Sequence, residues 1–295
     1  MRAGFIGLGA MGLSMARNLA RAGLLAGSWN RSPEKSRALA AETGSVAFDT
    51  PAALAAACDV VVLCVSADAD VLELVDALRP ALAAGGTVID CSTVSAATAR
   101  EAAGRLAPAG VAFLDCPVSG GVEGARDGTL AIMCGGDAAA FERVRPVLAA
   151  MGRTITHIGP CGLGQATKAT NQILCAGVIE TVGEAMAFAH AEGLPLDKVI
   201  ETLGQGAGSS WYFVHRAPFM ARGAFPPGFR VRLHVKDLEI CRQMAARHGT
   251  TLAVVESALA LYRQLLEAGY GDEDISAVYR IKAGQLAGPP SPRDG

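Results

Sequence analysis

The stretch from Gly4 to Ser32 limits what this chain can fold into more than any other. An apolar pair, Phe5-Ile6, runs into a glycine turn, Gly7-Leu8-Gly9-Ala10-Met11-Gly12. A helical segment from Ala10 to Arg21 follows, then a second strand that ends in Asn30-Arg31-Ser32. A Gly-x-Gly-x-x-Gly turn between a strand and a helix is a dinucleotide-binding fingerprint. Gly7 permits the tight turn, Gly9 lets backbone approach a pyrophosphate, and Gly12 lets helix and strand pack closely. The helix N-terminus adds free N–H groups and partial positive charge for the phosphates. The cofactor-binding set expected from this loop is therefore Gly7, Leu8, Gly9, Ala10, Met11 and Gly12.

The end of the second strand selects the nucleotide. Where an NAD enzyme carries a carboxylate for the ribose diol, this chain has Asn30, then Arg31 and Ser32. An arginine fork pairs with a 2′-phosphate, so NADP is favoured; NAD stays possible because a neutral Asn can bond a ribose hydroxyl. Ser32 is also placed to N-cap a helix that starts at Pro33.

The rest of the N-terminal half repeats the pattern. Apolar runs at 59–65, 87–90, 112–115 and 130–134 alternate with helical segments near 71–79, 96–106 and 138–151. Such alternation implies a mostly parallel sheet covered by helices on both faces, a doubly wound α/β sheet of the Rossmann type. Ligands in these sheets bind beyond the carboxyl ends of the strands, which directs attention to 65–70, 91–95 and 116–128. Past Pro160 the character changes. One helix of nearly 30 residues is expected from Gly164 to about Glu192, followed by helices near 197–203, 211–221, 235–248, 252–268 and 273–283. The expected division is a nucleotide-binding domain over 1–162, an all-α substrate and dimerisation domain over 163–287 joined by the long helix, and a disordered tail over 288–295. The apolar surface of that helix exceeds what one chain can cover, which points to a homodimer or homotetramer.

Composition excludes several classes. A net charge of −2 across 295 residues argues against nucleic acid or an acidic membrane as partner. No uninterrupted apolar run reaches the roughly 18 residues of a membrane span. The first strand follows Met1-Arg2-Ala3 at once, so no targeting peptide is expected and a cytoplasmic location is. The eight cysteines are scattered with no Cys-x-x-Cys pair, as free thiols in a reducing compartment would be, and no metal site is expected.

Two further segments carry chemistry. Ser119-Gly120-Gly121 follows a strand end, where a hydroxyl and two backbone N–H groups can hold a substrate carboxylate. Lys168 and Asn171 lie three residues apart early in the long helix, hence on one face. Helix-terminal charge and partial burial both disfavour an ammonium there, moving the lysine toward general acid-base work.

Four ordered segments make the chain resemble the β-hydroxyacid dehydrogenases. They are the glycine turn with Met15-Ala16-Arg17-Asn18-Leu19; Asp115-Cys116-Pro117-Val118-Ser119-Gly120-Gly121; Gly164 through Gln172; and Phe229 with Leu233 and Lys236-Asp237-Leu238. The resemblance reaches to about residue 283. It implies hydride transfer between NADP(H) or NAD(H) and a small 3-hydroxy acid or semialdehyde acid such as 3-hydroxyisobutyrate, with Lys168 catalytic. It further implies Ser119 and Gly120 on the carboxylate, Asn171 orienting substrate with Gln172 serving similarly, and Thr93 beside the nicotinamide. Val65 and Ser66 flank the cofactor at a strand exit where relatives often carry proline, and Lys236 reaches the site from the helical domain. Plainer roles compete for two of these: Thr93 as a helix cap and Lys236 in a surface ion pair. Trp211, in a cluster with Tyr212 and Phe213, is a candidate to close the pocket over the substrate chain, against ordinary core packing. Enzymes of 6-phosphogluconate dehydrogenase or imine reductase type share the architecture. The first is longer, and the second usually lacks a lysine at the position of Lys168. A catalytically silent nucleotide-binding module is disfavoured by the intact Lys168, Asn171 and Ser119.

Overall fold

A computed structural model describes residues 1–287; the tail expected to be disordered, 288–295, lies outside them. The chain divides into two compact units, Met1–Lys168 and the part from Ala169 onward.

The first unit is built on a sheet that has nine strands among the described residues, β1 (Ala3–Ile6), β2 (Leu25–Trp29), β3 (Val46–Ala47), β4 (Val60–Leu63), β5 (Thr87–Asp90), β6 (Ala112–Asp115), β7 (Val118–Ser119), β8 (Leu130–Gly135) and β9 (Gly152–Gly159). The order is β3-β2-β1-β4-β5-β6-β8-β7, with β9 paired to β8. From β3 to β6 every pairing is parallel; β8 runs antiparallel to β6 and β7 and parallel to β9. The helices are α1 (Gly12–Arg21), α2 (Pro33–Thr43), α3 (Pro51–Ala56), α4 (Asp68–Leu78), α5 (Ala96–Leu106), α6 (Gly121–Asp127) and α7 (Ala138–Met151).

Alternation along the central strands produces two cores. Phe5, Val60, Val62 and Ile89 pack on one face with Met15, Leu19, Val144 and Leu148. Ile6, Val61, Leu63 and Val88 pack on the other with Leu54, Val71, Val75 and Leu106. A strand buried on both faces needs a continuous apolar run, which is why β4 reads Val-Val-Val-Leu. Helix starts are fixed locally: the side chains of Thr50, Ser95 and Asp137 each accept an N–H at the start of α3, α5 and α7, worth about 1 kcal/mol apiece.

Three elements were not anticipated: β7, α6 and the eight-residue β9. Along β9 only the first residue is buried and exposed positions dominate, as on an edge strand, so the apolar signal is weak. The region from Gly152 to Gly159 instead reads as a linker when only apolar runs are sought.

The second unit is helical. α8 (Leu163–Ala191) begins in the first unit and continues through the second, followed by α9 (Leu196–Leu203), α10 (Trp211–Ala221), α11 (Val231–Ala246), α12 (Ala253–Glu267) and α13 (Val278–Ala287). Its core gathers Ala176, Ile179 and Met186 of α8 with Phe213, Leu238, Leu259, Tyr262 and Val278. By mean hydropathy, an 18-residue window of α8 reaches 1.3, enough to resemble a membrane span, which a search for uninterrupted apolar runs overlooks. Ala169, Ala176, Ile179, Val182 and Met186 on it belong to this core, and Glu180 and Glu184 on it pair with Lys282.

Candidate active site

The carboxyl ends of β1, β2 and β4 form a crevice around the glycine turn. Gly7 sits at φ 97°, and a Cβ on it would collide with the Cys64 carbonyl; at Gly12 a Cβ would collide with the Gly7 carbonyl. At Gly9 a Cβ would meet nothing within 4 Å. The turn therefore has one face closed against the strands and one open. On the open side lies a cavity of about 230 Å³ lined by Gly7, Gly9, Asn30, Arg31, Val65 and Ser66, and also by Lys35 and Asp70.

Asn30 is a structural part of this crevice. Its Oδ1 accepts the Leu8 N–H at 2.8 Å and its Nδ2 donates to the Ser32 carbonyl at 3.1 Å. The amide thus ties the glycine turn to the end of β2. Arg31 is 79% exposed and pairs with Asp70 at 2.7 Å. Ser32 occupies the N-cap position of α2, but its side chain makes no capping bond. Lys35, in the first turn of α2, joins Arg31 on the cavity wall; a charge in an ordinary helix start carries no sequence signal of that role. Ala10 and Met11 form the turn into α1, with Met11 at its N-cap position.

Beyond β5 and β6 the backbone prepares a second set of groups. Thr93 is not a helix cap: α5 is capped by Ser95, whose Oγ accepts the Thr98 N–H at 3.1 Å. Thr93 instead sits in the exit loop of β5. Ser92 in that loop accepts the Val65 N–H at 2.9 Å, so the exits of β4 and β5 are joined. Ser119 ends β7, and Gly120 and Gly121 follow at φ 133° and 65°, the left-handed side that side chains disfavour. Asn18 of α1 donates to the Ala125 carbonyl at 2.7 Å and anchors the helix that follows this loop.

Asp115, fully buried at the end of β6, accepts N–H groups from Gly162 and Gln165 at 2.8 Å each and so holds the first turn of α8. Burial raises the Asp115 pKa above the ordinary carboxylate range, and these N–H donors oppose the shift. Lys168 lies one turn further on and is only 8% exposed, which is uncommon for a lysine. Burial likewise pushes the Cys91 and Cys116 thiols well above their usual range. All eight cysteines are free thiols.

Within the helical unit, Gln172 and Lys236 converge on one buried carboxylate, and Asn171 is joined to it through Gln172. Gln172 Nε2 donates to Asp237 Oδ2 at 2.7 Å, and Lys236 Nζ pairs with Asp237 Oδ1 at 2.9 Å. Asn171 Nδ2 donates to Gln172 Oε1 at 2.8 Å and to Cys175 Sγ at 3.3 Å. Two expectations change here. The Gln172 amide is engaged at both ends and 1% exposed, so it positions Asn171 instead of offering itself to substrate. Lys236 is not in a surface pair, because its partner is 4% exposed. Asp237 organises the group; its sequence signal was its place beside Lys236. Trp211, 47% exposed, is not core: it stacks on His215 with centroids 4.4 Å apart and lies 4.9 Å from the Arg216 guanidinium.

The arrangement can hold a dinucleotide and bring polar groups to a small substrate, and comparison with known proteins agrees. Residues 2–159 match the family model of the NAD binding domain of 6-phosphogluconate dehydrogenase. Residues 162–282 match that described as NAD-binding of NADP-dependent 3-hydroxyisobutyrate dehydrogenase. The chain is 37% identical to an NAD-dependent L-serine dehydrogenase of Pseudomonas aeruginosa over 289 residues, covering 94% of this chain and 96% of that protein. It is 36% identical to the 2-hydroxy-3-oxopropionate reductase of Escherichia coli, covering 94% and 96%. Among solved structures, Mycobacterium tuberculosis 3-hydroxyisobutyrate dehydrogenase with L-serine is 32% identical, with a TM-score of 0.86 and coverage of 96% of this chain and 100% of that one. With two family models in tandem and relatives matched over nearly their whole length, the chain belongs to the β-hydroxyacid dehydrogenase family, the NAD(P)-dependent hydroxyacid dehydrogenases.

Proposed function

We propose that this enzyme transfers hydride between NADP(H), with NAD(H) as the poorer cofactor, and a compact 3-hydroxy acid or the corresponding semialdehyde acid, 3-hydroxyisobutyrate being the representative. The observation that carries the reading is a buried Lys168 in the early turns of α8, where Asp115 secures the helix start. When bound, the nicotinamide ring accepts or delivers the hydride. In the oxidative direction neutral Lys168 takes the hydroxyl proton as the carbinol C–H bond breaks; in reduction its ammonium returns a proton to the carbonyl oxygen. Asn171 orients the substrate oxygen, and Ser119 with the Gly120 backbone holds the carboxylate. Trp211, held against His215 and Arg216, limits the chain length accepted. Support for NADP comes from Arg31 and Lys35 together on the wall of the nucleotide cavity.

Initial rates on 3-hydroxyisobutyrate, L-serine, glycerate, glyoxylate and succinic semialdehyde with both cofactors test the reading. Lys168→Ala is expected to lower kcat by about 10²–10⁴ with cofactor affinity retained. Retained turnover in that variant would remove Lys168 from the mechanism. We further propose self-association through α8, on which Leu174 and Phe188 are 64% and 57% exposed. Light scattering that returns a monomer mass would refute it.

A further inference from the structure

Gln165 stands outside the residues assigned above to substrate or cofactor, yet its side-chain amide is engaged at both ends. It is 1% exposed. Its Nε2 donates to the Ser92 carbonyl at 2.8 Å, and its Oε1 accepts the Val94 N–H at 3.2 Å. These two bonds bracket Thr93. One partner is an acceptor and the other a donor, so the orientation of the amide is determined by the network. The same residue is fixed from behind, because its backbone N–H donates to the buried Asp115 at 2.8 Å. Ser92 in turn accepts from Val65 on the cavity wall. A continuous line of hydrogen bonds therefore runs from the nucleotide cavity, through the β5 exit loop, into the first turn of α8. Lys168 lies three residues past Gln165, on the same side of that helix.

We propose that Gln165 is a positioning residue for hydride transfer: its amide sets the distance between the Thr93 loop and the helix bearing Lys168. The inference rests on the assignment of Lys168 as the proton-transfer group. Hydride leaves the carbinol carbon and the proton leaves its oxygen within one bound complex, so the group on each side of the reacting carbon has to be held in near-attack geometry. A glutamine suits this task because it satisfies a carbonyl and an N–H at once. Glutamate would set an oxygen against the Ser92 carbonyl, and methionine would fill the space while leaving both backbone groups without a partner.

The test compares the parent, Gln165→Met, Gln165→Glu and Lys168→Ala with 3-hydroxyisobutyrate, normal and dideuterated at its carbinol carbon, as substrate. The expected result for Gln165→Met and Gln165→Glu is a kcat lower by on the order of tenfold to a hundredfold. The NADPH dissociation constant should stay within about threefold, and the deuterium isotope effect on kcat should rise as hydride transfer becomes limiting. A merely structural role would lower the melting temperature and leave the isotope effect and the kcat of the folded fraction at parental values; that outcome overturns the proposal. If neither variant folds, Gln165→Asn, which keeps an amide on a shorter stem, is measured in the same way and must show the same rise. Parental kcat in the Gln165 variants beside an inactive Lys168→Ala refutes this inference alone. An active Lys168→Ala refutes the acid-base assignment and this inference with it.

Discussion

The Leu8 N–H donates to Asn30 Oδ1 at 2.8 Å, joining the glycine turn to the end of β2 across 22 positions of sequence. The residue that stands where a ribose-binding carboxylate is common thus has its acceptor committed to the backbone of the phosphate loop. Asn30→Ala is expected to weaken NADPH and NADH alike, by about 1 kcal/mol or roughly fivefold in Kd. Asn30→Asp would retain the Leu8 bond, lose the donation to the Ser32 carbonyl and add a charge that opposes the 2′-phosphate, so NADPH should suffer more than NADH. Fluorescence titration with both cofactors measures each Kd, and a loss confined to NADH in Asn30→Ala would contradict the account.

Arg31 pairs with Asp70 on the wall of the same cavity. A bound 2′-phosphate would compete with that carboxylate for the guanidinium. Arg31→Ala should weaken NADPH by about 1.5–3 kcal/mol, with NADH nearly untouched. Asp70→Asn should strengthen NADPH binding, more at low salt than at high, because an exposed pair is screened. Titrations at two ionic strengths decide the matter; no change in NADPH affinity in either variant would exclude Arg31 from cofactor selection.

Asp237 carries Lys236 on one oxygen and Gln172 on the other. An asparagine there offers one carbonyl oxygen to two donors and turns its own N–H₂ toward one of them. Asp237→Asn should therefore release Asn171 as well, through Gln172. Leaving a buried donor unpaired costs about 1–3 kcal/mol of stability, so the melting temperature is expected to fall; with Asn171 released from its position, kcat/KM is expected to fall by on the order of tenfold. Steady-state kinetics with the melting temperature measured in parallel checks this, and parental kcat/KM would show that Asp237 is dispensable.

Burial holds the Cys58 and Cys161 thiols up at about 11 and about 12, against 9.0 for an unperturbed thiol. Unfolded thiols lose their protons near pH 9 while the folded ones keep them, so above that pH the unfolded state binds fewer protons and stability falls as pH rises. The contribution is complete below about pH 9 and declines through the folded values. Melting temperatures from pH 8 to 11 should drop, and a Cys58→Ala, Cys161→Ala double variant should show a shallower decline. An identical slope in parent and variant would assign the alkaline loss to other groups.

Much was legible in the chain itself. The alternation of apolar runs and helical segments, with the glycine turn at its start, determined the doubly wound sheet, because a strand buried on both faces and a helix buried on one each carry their own periodicity. Lys168, Asn171, Ser119 and Arg31 stood out because their neighbours formed contiguous motifs. The tertiary structure decided what those motifs could not express. Gln165 reaches 73 positions back to the Ser92 carbonyl and Gln172 reaches 65 forward to Asp237. Neither partner is implied by local spacing: the Gln172 amide, expected to serve the substrate beside Asn171, is committed to Asp237, and the Gln165 amide is committed to the backbone on either side of Thr93. The edge strand β9 escaped for a related reason. Its pairing with β8 supplies order through backbone hydrogen bonds, which need no particular side chain, while its mostly exposed side chains leave little apolar trace. Apolar periodicity is written locally and can be read locally; the satisfaction of buried polar groups depends on atoms brought together only when the chain has folded.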